Sequence, residues 1–119
     1  MTTYQDLKAL ALSLNLPGVT EAISWGNPCF NAHGKMWTWW GPQDNAAVFK
    51  IPIKEREMLC EAAPGAFFYT PHYKNHPLIL MRPERFGPVW AWARLLQTWR
   101  AMAPKKVLKV CDGIAESPS

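Results

Sequence analysis

The chain has 119 residues and a formal net charge of +4, with 49% hydrophobic and 18% charged residues. These values predict one globular domain and exclude a disordered chain. No apolar run reaches the roughly 18 residues of a membrane-spanning helix, and no signal peptide is visible. The three cysteines are isolated, without a C-x-x-C pair. This pattern excludes a zinc knuckle or dithiol motif and predicts a reduced, cytoplasmic setting.

The first half of the chain predicts one helix followed by hairpin strands. The helix covers residues 4–15, because its apolar residues recur on one face. These are Leu7, Leu10, Ala11 and Leu14. Leu16-Pro17-Gly18 then ends the helix. Extended segments follow at 22–25, 28–31, 36–40 and 46–51, separated by turn-forming residues. Although these are four segments, the predicted element order counts them as three strands of an antiparallel meander.

The second half predicts two helices with two strands between them. The helix over 53–63 is expected to have a solvated face and an inward face; the solvated residues are Lys54, Glu55, Arg56 and Glu57, and the inward residues are Met58, Leu59 and Ala62. Strands at 67–69 and 78–81 flank a loop at 70–77. Pro88 suits the first turn of a helix over 89–103. Its expected inward residues are Val89, Trp92, Ala93, Leu96, Trp99 and Ala103.

The predicted element order is α-β-β-β-α-β-β-α. Short connections and alternating strands favour an α+β two-layer domain, with an antiparallel sheet of about five strands and helices on one side. The domain is expected to cover residues 1–111. Residues 112–119 are predicted to be a flexible tail.

Several short segments together resemble the MmcQ/YjbR-like family of small bacterial proteins. The most specific is Thr70-Pro71-His72-Tyr73, followed by Trp25-Gly26 with Pro28 and Phe30. The resemblance spans roughly residues 5–107. The other matching segments are Leu16-Pro17-Gly18-Val19, Gly34-Lys35-Met36, Phe49-Lys50, Pro64-Gly65, Phe68 and Ala103-Pro104-Lys105. The tryptophan-rich segment 36–40 departs from the family pattern.

The resemblance implies the two-layer fold and a DNA-binding role with a "double-wing" arrangement. The two projecting loops would lie around residues 41–45 and 70–77. In the second loop, Lys74 would contact phosphate and Tyr73 would stack on a base or sugar. The alternative is that His72 and Tyr73 hydrogen-bond within their own loop and fix its shape.

The charge distribution also favours a nucleic-acid partner. Residues 1–66 carry five Lys/Arg against six Asp/Glu, whereas residues 67–119 carry eight against three. Such an asymmetry favours a polyanionic partner. The candidate nucleic-acid contacts are Lys74, Arg82, Arg85, Arg94, Arg100, Lys105, Lys106 and Lys109.

Aromatic residues form a second candidate set, comprising Trp37, Trp39, His72 and Tyr73. Strict strand alternation would place Trp37 and Trp39 together on one face, with Met36, Thr38 and Trp40 on the other. A ring set pointing away from the helices would be an exposed binding patch. The alternative is a core shielded by the C-terminal segment or a partner chain.

No catalytic motif is present, since the chain has no nucleophile elbow, P-loop or dinucleotide glycine pattern. Cys29 and His33 are the one conceivable thiol–imidazole pair, and His72 with His76 lack a third metal ligand. We therefore expect a non-enzymatic protein, without metal or cofactor, that binds nucleic acid and favours the monomeric state. The alternative function is a module that binds a protein or small ligand through an aromatic sheet surface.

Overall fold

The computed structural model describes residues 3–24, 26–41 and 44–108. Within these ranges lie helices α1 (Tyr4–Ser13), α2 (Ile53–Ala62) and α3 (Pro88–Met102). The strands are β1 (Val19–Ser24), β2 (Asn27–Ala32), β3 (Lys35–Gly41), β4 (Ala46–Lys50), β5 (Phe67–Phe68) and β6 (Leu78–Met81). The predicted tail 112–119 falls outside the described residues. None of the described helices combines the length and apolar character needed to cross a membrane.

The strands form one antiparallel sheet in the order β1-β2-β3-β4-β6-β5. The α+β class and the antiparallel sheet are confirmed. The sheet has six strands rather than about five, because four strands precede α2 instead of three. All four extended segments expected before α2 are strands. At the β2–β3 turn, His33 and Gly34 have φ angles of 56° and 81°, as a two-residue hairpin of type I′ requires.

The sheet has two differently covered faces. On the helix face, Phe30, Phe49 and Ile79 are fully buried and belong to the main core, together with Leu7 of α1 and Leu95 of α3. The opposite side is called the loop face here, because the segment after β5 covers part of it. There Ala46, Val48 and Leu80 form a smaller core, against which Trp39, Phe68, Tyr69, Tyr73 and Leu78 pack.

A β-bulge separates the tryptophans of β3, and the predicted alternation is wrong at this point. Phe30 pairs with Thr38 and Asn31 pairs with Met36, so Trp37 is an extra residue in β3. Such a residue interrupts the inside–outside alternation of a strand. Trp37 is fully buried, and its indole N–H donates to the carbonyl of Leu95 in α3 at 3.0 Å. Trp37 is therefore a core residue on the helix face, while Trp39 lies on the loop face.

The inward faces of the helices were predicted with mixed success. In α1, Leu7 and Ala11 are buried, as expected. In α3 the prediction is confirmed for Trp99, which is 1% exposed, and is wrong for Val89 and Trp92, which are 83% and 44% exposed. The buried residues of α3 are Ala91, Leu95, Thr98 and Trp99. Apolar residues surround most of α3, so periodicity alone could not choose between two possible stripes. Thr98 can be buried because its hydroxyl donates a hydrogen bond to the Lys50 carbonyl at 3.2 Å.

Candidate ligand pocket and basic surface

A pocket of about 510 Å³ lies on the loop face, where three separate segments of the chain meet. The β1–β2 hairpin, strand β3 with its following turn, and the loop after β5 each contribute side chains. The lining residues are Ser24, Asn27, Pro28, Cys29, Met36, Trp39, Trp40, Asp44, Thr70, His72 and Tyr73. The two segments that are most distinctive in the sequence thus border the same pocket. The loops at 41–45 and 70–77, predicted as two projecting wings, both contribute to it.

The loop at 70–77 is held in place by a buried arginine. Arg56 is 1% exposed, although the sequence predicted a solvated side chain. Its guanidinium donates to the carbonyls of Tyr73, Lys74 and His76 at 3.0, 2.9 and 2.9 Å. It also forms an ion pair with Glu57 at 2.8 Å. These acceptors compensate the loss of hydration that burial imposes on the charge, so the loop has one defined backbone path.

The predicted inward face of α2 is only partly correct. Met58 is 65% exposed and Ala62 is also exposed, while Leu59 is partly buried against the core. The guanidinium of Arg56 stacks 3.8 Å from the centre of the Tyr69 ring. The inward face of α2 is thus turned so that Arg56 reaches the loop. Hydrophobic periodicity could not reveal this, since it treats arginine as solvated.

Three aromatic side chains give one side of the pocket its shape. The Trp39 indole lies against the Tyr73 hydroxyl, and the His72 ring meets the Tyr73 ring edge-on at 4.8 Å between centroids. Burial raises the pKa of Tyr73, and the nearby Asp44 carboxylate raises it further. The phenol is therefore protonated across the physiological range. Tyr73 can present its ring and hydroxyl to a ligand without carrying a charge.

Cys29 and His33 do not form a thiol–imidazole pair. Cys29 is 2% exposed and lines the pocket on the loop face. Burial raises the pKa of its thiol, which disfavours the reactive thiolate. The ring of His33 instead packs 4.9 Å from the ring of Trp99 in α3. Among the described residues, no group of three or more His, Cys, Asp or Glu side chains could hold a metal ion.

The predicted aromatic set is therefore divided by the fold. Trp39, His72 and Tyr73 come together at the pocket, whereas Trp37 supports the core. Sequence reasoning missed Asp44 as a pocket residue and Arg56 as the anchor of the loop. Asp44 had a usable signal, because it lies in one of the two loops singled out from the sequence. No sequence signal marked Arg56, because its partners are backbone carbonyls, which every residue carries.

The predicted basic residues are also divided, and two of them have structural partners. Arg94 pairs with Glu55 at 3.2 Å and donates to the hydroxyl of Thr98 at 3.2 Å. Burial lowers the pKa of Arg94, and Glu55 partly offsets this. Arg82 donates to the carbonyl of Pro64 at 3.3 Å, and its guanidinium lies 4.5 Å from the centre of the Phe68 ring. These two side chains are committed to interactions within the domain.

The remaining described cations of the set have exposed side chains. They are Lys74, Arg85, Arg100, Lys105 and Lys106. Arg100 also makes an interaction within the chain. Lys105 and Lys106 lie in the helical turn that follows α3 after Ala103 and Pro104. Lys109 lies outside the described residues, so its contribution stays a prediction.

Comparisons with known proteins agree with this architecture. The YjbR family model matches residues 14–103. The chain belongs to the YjbR family. The crystal structure of Deinococcus radiodurans protein DR2400, with the domain DUF419, superposes with a TM-score of 0.68 over 89% of this chain and 82% of that one. The identity is 16%, so this likeness establishes the fold alone. No curated protein matches the sequence.

Membership in the YjbR family confirms the resemblance drawn from the sequence motifs. The matched region contains every described residue that lines the pocket. It ends at residue 103 and so excludes Lys105 and Lys106. The pocket is thus built on the family fold, while these two lysines lie just beyond the matched region.

Proposed function

We propose that this YjbR protein is a non-enzymatic nucleic-acid-binding protein, with DNA as the favoured partner and no cofactor. The observation that carries the proposal is the charge of the segment 86–108, which contains three exposed cations, Arg100, Lys105 and Lys106, and no carboxylate. Lys105 and Lys106 are exposed at its end. A cationic surface of this kind attracts the phosphate backbone of nucleic acid by charge. The DNA-binding role implied by the family resemblance supports the same partner.

The mechanism would be engagement of phosphates with little reading of sequence. Lysine side chains on phosphate oxygens position a protein on a duplex without identifying the bases. Lys74 would add a further contact from the 70–77 loop, where it is exposed beside Tyr73. Arg82 and Arg94 are left out of this interface, because their internal partners would have to be released first.

The test is fluorescence anisotropy with labelled double- and single-stranded oligonucleotides at several salt concentrations. The slope of log K against log salt is negative. If Lys105 and Lys106 each contact one phosphate, replacing both with Ala makes this slope shallower by about 2 for a duplex. The affinity should fall for all sequences alike. The matched control is Lys35→Ala with Lys54→Ala, which removes two exposed lysines from the other half of the chain.

Each outcome decides part of the proposal. An unchanged affinity in the Lys105/Lys106 double variant would remove these lysines from the interface. Equal losses in both double variants would show that net charge matters and that position does not. No binding to any oligonucleotide at low salt would overturn the nucleic-acid function as a whole.

Ligand binding in the loop-face pocket is a second candidate function, and a separate observation favours it. The pocket joins the Asn27-Pro28-Cys29 segment to the Thr70-Pro71-His72-Tyr73 segment, although forty positions lie between them. Arg56 fixes the second segment from inside the protein. A preformed apolar pocket with a few polar groups is typical of small-ligand sites.

A further inference from the structure

The loop-face pocket has the opposite electrostatic character to the chain as a whole. The protein carries a net charge of +4, yet the described residues lining the pocket include no lysine or arginine. They do include one carboxylate, that of Asp44. A ligand entering this pocket therefore meets negative charge. Phosphate and carboxylate groups are disfavoured there, since like charges repel in a partly desolvated site.

No ion pair between described residues involves Asp44. Within the part of the chain that the structure describes, the ion pairs are Lys8–Glu21, Arg56–Glu57 and Arg94–Glu55. Asp44 belongs to none of them. Its electrostatic effect reaches Tyr73, whose pKa it raises together with burial. The carboxylate thus acts across the pocket and is available to a ligand of opposite charge.

Aromatic side chains complete a surface that suits a positive group. The Trp39 indole lies against the Tyr73 hydroxyl, and His72 packs edge-on against Tyr73. The faces of tryptophan and tyrosine rings carry partial negative charge and attract cations, most strongly when water is excluded. Met36 and Pro28 supply apolar contacts for the alkyl part of such a ligand.

A metal ion fits this site poorly. Calcium requires six to eight oxygen ligands and magnesium a nearly ideal octahedron, whereas Asp44 is the one carboxylate among the described lining residues. The described residues also contain no cluster able to hold a metal. A cation with its own organic shell needs no such ligand set, because ring faces and a single carboxylate can replace its water.

We propose that the loop-face pocket binds an organic cation, namely an alkylated ammonium group. Asp44 supplies the countercharge, and Trp39 and Tyr73 supply the ring faces. The inference rests on the second candidate function, ligand binding in this pocket, and is independent of nucleic-acid binding. The volume of about 510 Å³ falls in the range of small-ligand sites.

The experiment compares choline with 3,3-dimethylbutan-1-ol, in which a carbon atom replaces the charged nitrogen at nearly the same shape. Binding to the purified protein is followed by calorimetry and by tryptophan fluorescence. Choline is expected to bind about tenfold more tightly or better, because each 1.4 kcal/mol of cation–π and ionic attraction is a factor of ten. Asp44→Asn should bring the two affinities close together. Trp39→Leu should weaken choline binding and reduce the fluorescence response.

The matched control is Glu61→Gln, which removes one exposed carboxylate from α2 outside the pocket and should leave choline binding unchanged. Circular dichroism and a thermal melt confirm that each variant is folded. Equal or tighter binding of the neutral alcohol would overturn the cation inference while leaving a ligand pocket in place. Binding of neither compound at tens of millimolar would overturn both the inference and the second candidate function. Loss of choline binding in Glu61→Gln equal to that in Asp44→Asn would also overturn the inference, since overall charge would then explain it.

Discussion

The two faces of the sheet use tryptophan in different ways. On the helix face, Trp37 and Trp99 are 0% and 1% exposed. Their indole N–H groups donate to backbone carbonyls, those of Leu95 and Pro17, at 3.0 and 2.9 Å. On the loop face, Trp39 is partly exposed and lies against the side chain of Tyr73, which borders the same pocket.

This comparison shows that the burial of a tryptophan indicates its role better than its presence does. A buried indole N–H requires a hydrogen-bond acceptor, and the backbone carbonyls that Trp37 and Trp99 use tie them to the folding of the chain. Trp39 is partly exposed at the pocket, so part of its ring is available to a ligand. We therefore regard the helix face as structural and the loop face as the candidate binding surface.

The largest effect on stability is expected at Trp37. Trp37→Ala removes a fully buried ring and leaves the Leu95 carbonyl without its donor. The free energy of unfolding should fall by about 3–5 kcal/mol, a large part of the stability of a small domain. Trp39→Ala should cost clearly less, since this ring is partly exposed. Urea unfolding of both variants measures the difference. Equal losses would contradict the distinction between the two faces.

Arg56 is expected to produce the next largest effect. Arg56→Met fills much of the same volume but leaves three loop carbonyls without their shared donor. A buried acceptor that loses its donor costs about 1–3 kcal/mol, and exposure of the carbonyls to water after the loop moves reduces this value. Urea unfolding gives the stability loss, and hydrogen exchange shows whether residues 70–77 become mobile.

The control for Arg56 is Lys54→Met, which changes an exposed cation on the same helix. It should leave both the stability and the exchange pattern nearly unchanged. If Arg56→Met keeps the loop as protected as in the parent protein, the loop is held by its aromatic contacts instead.

The smallest effect concerns Glu57 and depends on pH. The hydrogen bond from Arg56 lowers the pKa of Glu57, and the hydroxyl of Tyr69 contributes in the same direction. Because the pKa is lower in the folded protein, the carboxylate stabilises the fold above the unfolded value of about 4.3. This stabilisation is lost as pH falls through the folded pKa.

Glu57→Gln should therefore be less stable than the parent at pH 7, and the two proteins should converge as the pH falls below 4. Thermal melts from pH 3 to 7 measure the difference. The control Glu61→Gln should follow the parent at every pH. A difference between Glu57→Gln and the parent that persists at pH 3 would mean that the amide acts through packing rather than through charge.

Much of the fold could be predicted from local sequence patterns. The span of α1 and its buried Leu7 and Ala11 followed from helical spacing. The turn at His33-Gly34 followed from glycine in a hairpin position. Family motifs then indicated the correct fold and the loop containing Thr70-Pro71-His72-Tyr73. These features succeed because each depends on residues that are close in sequence.

The parts predicted wrongly depend on contacts between distant residues. The bulge at Trp37 comes from pairing with β2, and the orientation of α3 comes from packing Ala91 and Leu95 into the core rather than Trp92. Neither is written in the periodicity of a single segment. The same limit applies to the basic set, in which Arg94 is bound by Glu55 of another helix.

By itself the sequence determined the class of fold, the family, and the segments that carry its distinctive residues. Hydrophobic spacing, turn residues and short motifs are local properties, and they suffice for this. Only the tertiary structure placed Asp44 beside Trp39 and Tyr73 and buried Arg56 beneath the loop. The physical reason is that burial and electrostatic environment belong to the assembled chain: a carboxylate becomes an exposed charge or a pocket countercharge according to what the fold packs around it.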